Sequence, residues 1–358
     1  MSRRRTLRLG VLTAGALVGS GVLTACGAPG PEASMTYGQR LMANFNLVHD
    51  PCMVKEGDYY YVYSTGQPAV GNGNIQMRVS TDLRNWVYIG TAFQDIPNWI
   101  QARIPGIPNL WAPDLSYYRG RYQLYYACST FGTKDSFIAL ATNATLDPNA
   151  KDYHWVDEGM VISSEAQSSY NAIDPNFVED AQGNPWLDFG SYNSGIKLFR
   201  LNPHTGKAEQ SPPQLGSLAY RPLPPNDLEA PFITYRKPHY YLFTSFGKCC
   251  AGVQSTYRIM VGRSPAINGP YADATGTPMI VGGGSLVLGN EGSMIGPGGQ
   301  SICRAGKGEY LVYHYYDALD GGAPHLQIRE VQWSAAGWPQ VGAPMVPVPN
   351  GSAGSATN

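Results

Sequence analysis

Three carboxylates, far apart in the chain, stand in short motifs that contain proline. Asp50 and Asp174 are each followed directly by proline, and Glu229 is followed by Ala-Pro. An ionised carboxylate can take a proton from water, and a carboxyl that stays protonated can donate one to a leaving group, so these groups suit general acid–base catalysis. The alternative is structural, because acids in such turns also accept hydrogen bonds from backbone amides. One motif favours the turn, whereas three similar motifs favour a catalytic centre.

The three motifs belong to a pattern that repeats five times along the chain. Each repeat has an opening motif and, shortly after it, an aromatic segment with strand-like alternation. The opening motifs are His49-Asp50-Pro51, Trp111-Ala112-Pro113-Asp114, Ile173-Asp174-Pro175-Asn176, Leu228-Glu229-Ala230-Pro231 and Gly296-Pro297-Gly298-Gly299. The aromatic segments cover residues 59–63, 122–126, 186–189, 240–243 and 310–314. Acidic residues of these motifs recur at steps of 64 (50 to 114), 60 (114 to 174) and 55 (174 to 229) residues.

The repeat length predicts an all-β protein with a five-bladed β-propeller fold. A unit of roughly 55–70 residues can hold about four short strands, which is the content of one blade. A two-sheet sandwich is the alternative, but it does not explain five equivalent motifs. We interpret the aromatic segments as the innermost strands and expect the opening motifs to converge at one mouth of the central channel. Asp50, Asp174 and Glu229 would then lie close enough to shift one another's pKa.

The composition argues against nucleic acid as a partner. Charged residues make up 14% of the chain and the formal net charge is −1, so the basic clusters that bind phosphate backbones are missing. The 24 tyrosines and 7 tryptophans combine an apolar face with a polar tip, which suits sugar rings and also the packed strands of a large β protein.

The first 26 residues have the features of a bacterial export signal. Arginines at positions 3, 4, 5 and 8 precede an apolar run over residues 9–22 that is short for a membrane span. The next residues, Leu23-Thr24-Ala25-Cys26, resemble the lipobox of bacterial lipoproteins, in which the cysteine is lipidated. The alternative is an ordinary secretion signal with an incidental cysteine, and the start fits either the twin-arginine or the general secretion route.

These features divide the chain into four parts. We expect a lipoprotein signal peptide over residues 1–26, a flexible tether over 27–40, the catalytic propeller over 41–348 and a disordered tail over 349–358. The mature protein is expected to be an exported monomer that is either attached to a membrane by lipid alone or extracellular.

The remaining cysteines are odd in number, which leaves at least one free thiol. They are Cys52, Cys128, Cys249, Cys250 and Cys303. The adjacent pair can be a vicinal disulfide or two thiols, and the spacing does not decide between them. No Cys-x-x-Cys spacing points to structural zinc.

Taken in order, the motifs resemble the signature of family 43 glycoside hydrolases and, within that family, of the endo-α-1,5-L-arabinanases. The matching segments are the motifs around Asp50, Asp174 and Glu229, together with Trp111-Ala112-Pro113-Asp114, Cys249-Cys250, Ser255-Thr256-Tyr257, Gly262-Arg263-Ser264 and His314-Tyr315-Tyr316. The resemblance spans residues 47–345. It implies a hydrolase that acts on plant cell-wall arabinan or arabino-oligosaccharides.

The resemblance also implies a role for each carboxylate. Asp50 would be the general base that activates water, and Glu229 the general acid that protonates the leaving oxygen. Asp174 would raise the pKa of the acid and hold it in place. A water between base and sugar implies inversion at the anomeric carbon, with the two carboxyl groups roughly 6.5–9.5 Å apart.

The histidines fall into three groups. His314, near the end of the fifth aromatic segment, is expected to point into the channel; sequence alone favours a packed core residue, whereas the resemblance implies a ligand of one calcium ion, held mostly through water. His49 is expected either to orient Asp50 or bind sugar, or to be a core residue. The others are expected at the surface: His154, His204, His239 and His325.

Further residues are expected to contact the substrate. Trp111 and Phe131 could stack on arabinose rings, although core residues would look the same. Hydrogen-bonding groups come from Asn171, Ser191, Tyr192 and Asn193. Asn193 departs from the family pattern, because many arabinanases carry an aromatic residue there, and this leaves the preferred substrate length open.

Two other functions remain open. The chain could be an exo-acting α-L-arabinofuranosidase or β-xylosidase of the same fold, if residues 95–109 or 211–226 close one end of the cleft. It could also be a surface glycan-binding lipoprotein without catalytic activity. The presence of all three acids argues against a protein that only binds.

Overall fold

Twenty β-strands form five four-stranded antiparallel sheets in the computed structural model, which describes residues 46–348. Strands follow chain order within every sheet, so the prediction of an all-β, five-bladed β-propeller is confirmed. The predicted signal peptide (1–26) with Cys26, the tether (27–40) and the tail (349–358) lie outside the described residues. No helix within residues 46–348 has the length and apolarity needed to cross a membrane.

The blades take up the chain one after another. Blade 1 contains β1 (Cys52–Glu56), β2 (Tyr59–Ser64), β3 (Gln76–Ser80) and β4 (Val87–Thr91), and blade 2 contains β5 (Trp111–Tyr118), β6 (Arg121–Cys128), β7 (Ser136–Asn143) and β8 (Val156–Ser164). Blade 3 contains β9 (Asn176–Glu179), β10 (Pro185–Phe189), β11 (Ile196–Arg200) and β12 (Gly216–Ala219), and blade 4 contains β13 (Leu228–Arg236), β14 (His239–Phe246), β15 (Arg258–Ser264) and β16 (Ser285–Leu288). Blade 5 contains β17 (Met294–Ala305), β18 (Gly308–Asp317), β19 (Ala323–Trp333) and β20 (Pro339–Val341). A short helix, α1 (Asn98–Arg103), lies between blades 1 and 2, and 3₁₀ turns occur at Gly71–Gly73, Gly252–Gln254, Met279–Val281 and Ala318–Asp320.

The first strand of each blade, not the aromatic one, lies innermost. Strands β1, β5, β9, β13 and β17 contact one another in a closed ring, whereas the aromatic segments form the second strands of the blades. The interpretation of the aromatic segments as innermost strands was therefore wrong. Crowding explains the order, because the small residues and prolines of the opening motifs fit where five strands converge, and bulky aromatic side chains need the wider space farther out.

In all five blades the residue before the opening proline has a left-handed backbone. The φ angles are 50° at Asp50, 42° at Ala112, 56° at Asp174, 51° at Ala230 and 58° at Gly296. For a residue other than glycine this conformation costs roughly 1–2 kcal/mol. Since the turn recurs in every blade, it is part of the architecture and places Asp50 and Asp174 at equivalent positions.

The same alignment separates the other two acids from this pair. Glu229 stands one position before the left-handed residue, in the place that His49 and Trp111 take in their blades, and Asp114 stands two positions after it. The Asp114 carboxylate is buried and accepts hydrogen bonds from the backbone N–H of Phe177 (2.9 Å) and the side chain of Asn176 (3.2 Å). Burial raises the pKa of Asp114 to about 6, against the lowering effect of these bonds. Its regular spacing from the catalytic candidates therefore does not make it their counterpart.

One apolar core fills each interface between neighbouring blades. Paired members are Tyr63 with Tyr126 between blades 1 and 2, Tyr125 with Phe189 between 2 and 3, Leu198 with Leu242 between 3 and 4, Phe243 with Tyr313 between 4 and 5, and Val62 with Val312 between 5 and 1. Middle strands are thus covered on both faces, and every residue of β7 is buried. Full burial of each large apolar side chain contributes about 1.5–3 kcal/mol, so the ring is held together by its interfaces.

The two ends of the described chain meet along the outer edge of β19. The Leu326 N–H donates to the carbonyl of Asn46 (2.8 Å), and the Val48 N–H donates to the carbonyl of Pro324 (3.1 Å). Two residues farther along β19, the Met345 N–H donates to the carbonyl of Ile328 (2.9 Å). Blade 5 is therefore completed by both ends of the described segment, which closes the ring.

One histidine prediction was wrong, and it concerns a residue of this strand. His325, expected at the surface, is 1% exposed, and its Nε2 lies 2.6 Å from Asp320 Oδ2. The turn-like sequence around it had hidden its place in β19, whereas His154 and His204 are exposed as expected.

Candidate active site

The opening motifs of three blades bring Asp50, Asp174 and Glu229 together at one mouth of the channel. Asp50 and Asp174 line the channel beside Ala230, whose N–H donates to Asp174 Oδ2 over 3.1 Å. Burial raises the pKa of Asp174 well above its usual range, and the charges of Glu229 and Asp50 raise it further. The convergence expected from the repeat is present in the structure.

Asp50 is held as an ionised carboxylate. Its Oδ2 accepts hydrogen bonds from His49 Nδ1 and Thr65 Oγ1, both over 2.7 Å. Burial alone would raise the pKa of Asp50, but the charge and hydrogen bond of His49, with smaller effects of His314 and Thr65, outweigh it and lower the pKa to about 2. Because Oδ2 already has two donors, Oδ1 is the oxygen left to accept a proton.

His49 lies between Asp50 and a tyrosine of blade 5. Its Nε2 is 2.9 Å from the Tyr316 hydroxyl, and its ring stacks on that of His314 with centroids 3.8 Å apart. Burial lowers the pKa of His49, but the charge and hydrogen bond of Asp50 more than reverse this, so the pKa is raised. These contacts favour the orienting role among the expectations for His49.

Glu229 is surrounded by hydroxyl groups and is 8% exposed. Ser191 Oγ donates to Glu229 Oε2 over 2.6 Å, and the Tyr257 hydroxyl donates to Oε1. Burial raises the pKa of Glu229 and the charge of Asp50 adds to this, against the opposing effect of the two hydroxyl bonds. Glu229 and Asp174 interact closely, so the pair keeps a proton to higher pH than an isolated carboxyl would.

Glycines take the place of acids in the opening motif of blade 5. A Cβ on Gly299 would lie 2.5 Å from Asp50 Oδ1 and 2.8 Å from His314 Nδ1, and the φ angle there is +56°. A Cβ on Gly298 would lie 2.3 Å from the Tyr257 ring. Only glycine leaves room for the side chains that approach this strand, which explains the Gly-Pro-Gly-Gly sequence.

His314 reaches this region from the second strand of blade 5. It lies in β18 opposite Gly298 of β17, so the expectation that it belongs to the innermost strand was wrong. The residue is completely buried, and its Nδ1 accepts a hydrogen bond from the Asp50 N–H over 3.1 Å. Its Nε2 is buried and has no hydrogen-bond partner among residues 46–348.

This arrangement can be compared with known proteins. Residues 45–339 match the sequence profile of glycosyl hydrolases family 43. The chain belongs to this family. It is 41% identical over 340 residues to the extracellular endo-α-(1→5)-L-arabinanase 1 of Bacillus subtilis, with 95% of this chain and 99% of the relative covered. It is 40% identical to the extracellular exo-α-(1→5)-L-arabinofuranosidase of Cellvibrio japonicus, over 82% of this chain and 86% of the relative.

Solved structures give the same assignment for the fold. The α-L-arabinanase of Cellvibrio cellulosa, solved in complex with arabinohexaose, superimposes with a TM-score of 0.77 at 39% sequence identity. The alignment covers 83% of this chain and 96% of that chain. The family 43 propeller is thus shared over nearly the whole described segment.

The expected sugar contacts of this family 43 chain differ in their distance from the acids. Tyr192 lies near Glu229, since burial and then the charge of Glu229 raise the pKa of Tyr192 to about 12. Asn193 instead donates from Nδ2 to the carbonyl of Ser191 (3.1 Å) and so braces its own loop. Asn171 is 8% exposed, and its Oδ1 lacks a hydrogen-bond partner in the described part of the chain.

The two expected stacking residues lie in different surroundings. Trp111 is half-buried at the start of β5, with its indole N–H donating to Asn109 Oδ1 over 3.0 Å. Phe131 is 78% exposed in the connection between β6 and β7. Both can offer a ring face, and the contact of each with substrate remains a prediction.

Sequence reasoning missed three hydroxyl groups that contact the acids and His49. These residues are Thr65, Tyr257 and Tyr316. The two tyrosines lie in segments that carry the family resemblance, and Thr65 directly follows the aromatic strand β2. Their position in the sequence was therefore the only available signal. Their partners lie in other blades or at other turns, and no local pattern reveals such pairings.

The structure decides between the two alternatives for the adjacent cysteines. Cys249 and Cys250 form a vicinal disulfide, and the other cysteines of residues 46–348 are buried thiols: Cys52, Cys128 and Cys303. Cys250 is exposed, so solvent reaches the disulfide beside His49.

Proposed function

We propose that this family 43 protein is an arabinan endo-1,5-α-L-arabinosidase, which hydrolyses α-1,5-linked L-arabinan with inversion. One observation carries the proposal: ionised Asp50 and buried Glu229, whose pKa is raised, stand at the same channel mouth. The choice of substrate and of endo action is supported by the Bacillus subtilis endo-arabinanase, which aligns with 95% of this chain. Plant cell-wall arabinan and arabino-oligosaccharides are the expected substrates.

The proposed reaction is a single displacement. Asp50 Oδ1 takes a proton from water as the water oxygen attacks the anomeric carbon. Glu229 gives its proton to the glycosidic oxygen as that bond breaks, and attack opposite the leaving group inverts the configuration. Asp174 raises the pKa of the acid and fixes the adjacent Ala230 N–H. Exchange with solvent returns each proton.

The assay that tests this proposal follows the products of linear arabinan over time. Endo action should give oligosaccharides of several lengths from the start, because cleavage falls within the chain. NMR of the first-formed sugar should show an inverted anomeric configuration. A retained configuration would exclude the single displacement, and release of no sugar by a folded, arabinan-binding protein would favour the glycan-binding alternative.

Exo action is the second candidate, supported by the 40% identity to the Cellvibrio japonicus exo-arabinofuranosidase. The same assay separates the two, since an exo enzyme gives one short product from the first minutes. Xylo-oligosaccharides tested in parallel would reveal a β-xylosidase.

We further propose that His314 helps to hold one calcium ion, mostly through bound water. The orphaned, buried Nε2 fits a ligand role. Because Nδ1 accepts the Asp50 N–H, the proton of the neutral ring stands on Nε2, which would donate it to a water of the ion. When bound, the ion would offset part of the repulsion among the three carboxylates.

Chelation by EDTA is expected to lower both activity and melting temperature. An ion that binds only the folded state at 100 times its Kd stabilises it by about 2.7 kcal/mol. His314→Ala should have the same effect, and EDTA should add nothing in that variant, because both treatments empty one site. Activity and melting curves with and without EDTA check this, with the exposed His154→Ala as control. If metal analysis confirms an ion-free native protein whose activity EDTA has not changed, the calcium proposal is wrong.

Export and lipidation complete the proposal. The relatives from Bacillus subtilis and Cellvibrio japonicus are named as extracellular, which supports export of this chain. Cys26→Ala is expected to move the protein from the membrane fraction to the soluble fraction, because a lipid would be its only strong hydrophobic attachment. Fractionation of the native host tests this, and a Cys26→Ala protein that stays with the membrane contradicts the lipobox assignment.

A further inference from the structure

An unbroken chain of hydrogen bonds joins the Cys249–Cys250 disulfide to Asp50. The Cys250 N–H donates to the Tyr316 hydroxyl oxygen over 2.8 Å. That hydroxyl lies 2.9 Å from His49 Nε2, and His49 Nδ1 lies 2.7 Å from Asp50 Oδ2. Three different blades contribute to the chain, so none of its members is fixed by local sequence.

The carboxylate sets the direction of the last bond. Ionised Asp50 can only accept, so His49 Nδ1 carries a proton and donates it to Oδ2. His49 Nε2 accepts the Tyr316 proton when the ring is neutral and donates to the Tyr316 oxygen when the ring is charged, so Tyr316 is its partner in both states. Thr65 fills the other position on Oδ2, so the chain keeps Oδ1 available for water.

The disulfide controls the group at the start of this chain. Cys250 has a left-handed backbone, with a φ angle of 57°, and the bond to its neighbour encloses the peptide that carries its N–H. Both sulfurs also lie near His49 Nε2, at 3.8 Å for Cys249 and 3.9 Å for Cys250. A disulfide sulfur has no proton, whereas a thiol there would compete with Tyr316 as a donor to Nε2.

We propose that Tyr316 and the Cys249–Cys250 disulfide are positioning groups for the general base, which they act on through His49. This inference rests on the proposed role of Asp50. The disulfide keeps the Cys250 N–H on Tyr316 and keeps thiol donors away from His49. Its reduction therefore weakens catalysis without removing any group that touches the substrate.

A different role for the disulfide makes a different kinetic prediction. If the exposed disulfide only formed a wall for a sugar ring, its loss would raise KM and leave kcat unchanged. A positioning role lowers kcat and leaves KM unchanged, because the base is needed for the chemical step. The ratio of the two effects separates the roles.

The experiment compares the oxidised and reduced full-length protein on arabinan. A water-soluble phosphine gives two electrons to the disulfide and becomes a phosphine oxide, with its oxygen and both thiol protons supplied by one water. Thiol titration should show two new groups. We expect kcat to fall about 3- to 10-fold, the rate equivalent of one hydrogen bond, and to recover on reoxidation, whereas the phosphine oxide alone has no effect.

Two tyrosine variants of the same strand provide the matched controls. Tyr316→Phe should lower kcat by a similar factor, and reduction should lower it no further, since the chain is already cut. Tyr313→Phe also loses a buried hydroxyl bond, to Arg329, but should keep the native kcat and remain sensitive. Unchanged kcat after confirmed reduction, or equal sensitivity of Tyr316→Phe, overturns the proposal.

Two further outcomes are also decisive. If reduction unfolds the protein, the oxidised variants decide, and equal kcat for Tyr316→Phe and Tyr313→Phe overturns the proposal. Asp50→Asn separates this inference from the proposed function. Activity in that variant removes Asp50 as the base, whereas an inactive Asp50→Asn with a redox-insensitive native enzyme sinks only the positioning role.

Discussion

Replacing Glu229 by glutamine is expected to reduce kcat on arabinan by about 10²–10⁴-fold, the usual contribution of a general acid. Glutamine has nearly the same shape and can still accept the hydrogen bond that Ser191 now donates to Oε2. It cannot supply a proton, so the leaving oxygen departs as an unprotonated alkoxide. The melting temperature should change little, which separates the chemical loss from a folding defect.

The leaving group of the substrate provides a sharp control for this prediction. An aryl arabino-oligosaccharide, whose leaving group needs little protonation, should be cleaved by Glu229→Gln at a rate much closer to that of the native enzyme. Asp50→Asn should remain slow on both substrates, because every leaving group requires an activated water. If the two variants respond alike to the leaving group, the assignment of acid and base is wrong.

Replacing Asp174 by asparagine is expected to reduce activity by orders of magnitude and to move the basic limb of the pH profile to lower pH. Burial and the charges of Glu229 and Asp50 raise the pKa of Asp174, and the repulsion acts equally on its partner. Removing one carboxyl therefore lowers the pKa of the remaining acid. Glu229 then loses its catalytic proton at lower pH than in the native enzyme, so activity falls earlier as pH rises.

A second substitution at the same position separates charge from hydrogen bonding. Asparagine keeps an oxygen that can accept the Ala230 N–H, whereas Asp174→Ala removes both the charge and the acceptor. The pH dependence of kcat/KM for both variants is the measurement. A basic limb that stays in place in Asp174→Asn would show that Asp174 does not control the pKa of the acid.

The fold could be predicted because every blade needs the same turn, and the residues that form this turn recur along the sequence. A left-handed residue before proline occurs at Asp50, Ala112, Asp174, Ala230 and Gly296. Two of the three acids, Asp50 and Asp174, occupy this position, so the proline motif also identified them. The order of the strands within a blade was predicted wrongly. Alternating aromatic residues indicate which side chains are buried between blades, but they do not indicate how far a strand lies from the channel axis. All blades bury both faces, so alternation gives no radial information.

The supporting groups of the site could not be predicted for a related reason. Tyr316 reaches His49 across 267 positions of sequence, and Tyr257 reaches Glu229 from a neighbouring strand connection. Such pairs depend on how blades and strand connections pack in three dimensions, which the sequence does not display locally. Asp114 has the same regular spacing, but its buried carboxylate is bonded to Phe177 and Asn176 of blade 3, so spacing alone does not identify a catalytic acid.

Because both ends of the described segment bond to β19, the choice of first blade depends on where the chain begins and not on how the blades pack. Asn46 and Met345 bond to β19 residues only two positions apart, Leu326 and Ile328, and both segments run antiparallel to β19. A short linker from residue 346 to residue 46 would therefore give a circular chain. Opening it within residues 147–152, at the end of blade 2 opposite the opening motifs, would give a circular permutant that starts in mid-propeller and retains all five interfaces. We therefore expect folding of this protein to need a complete ring but no particular first blade.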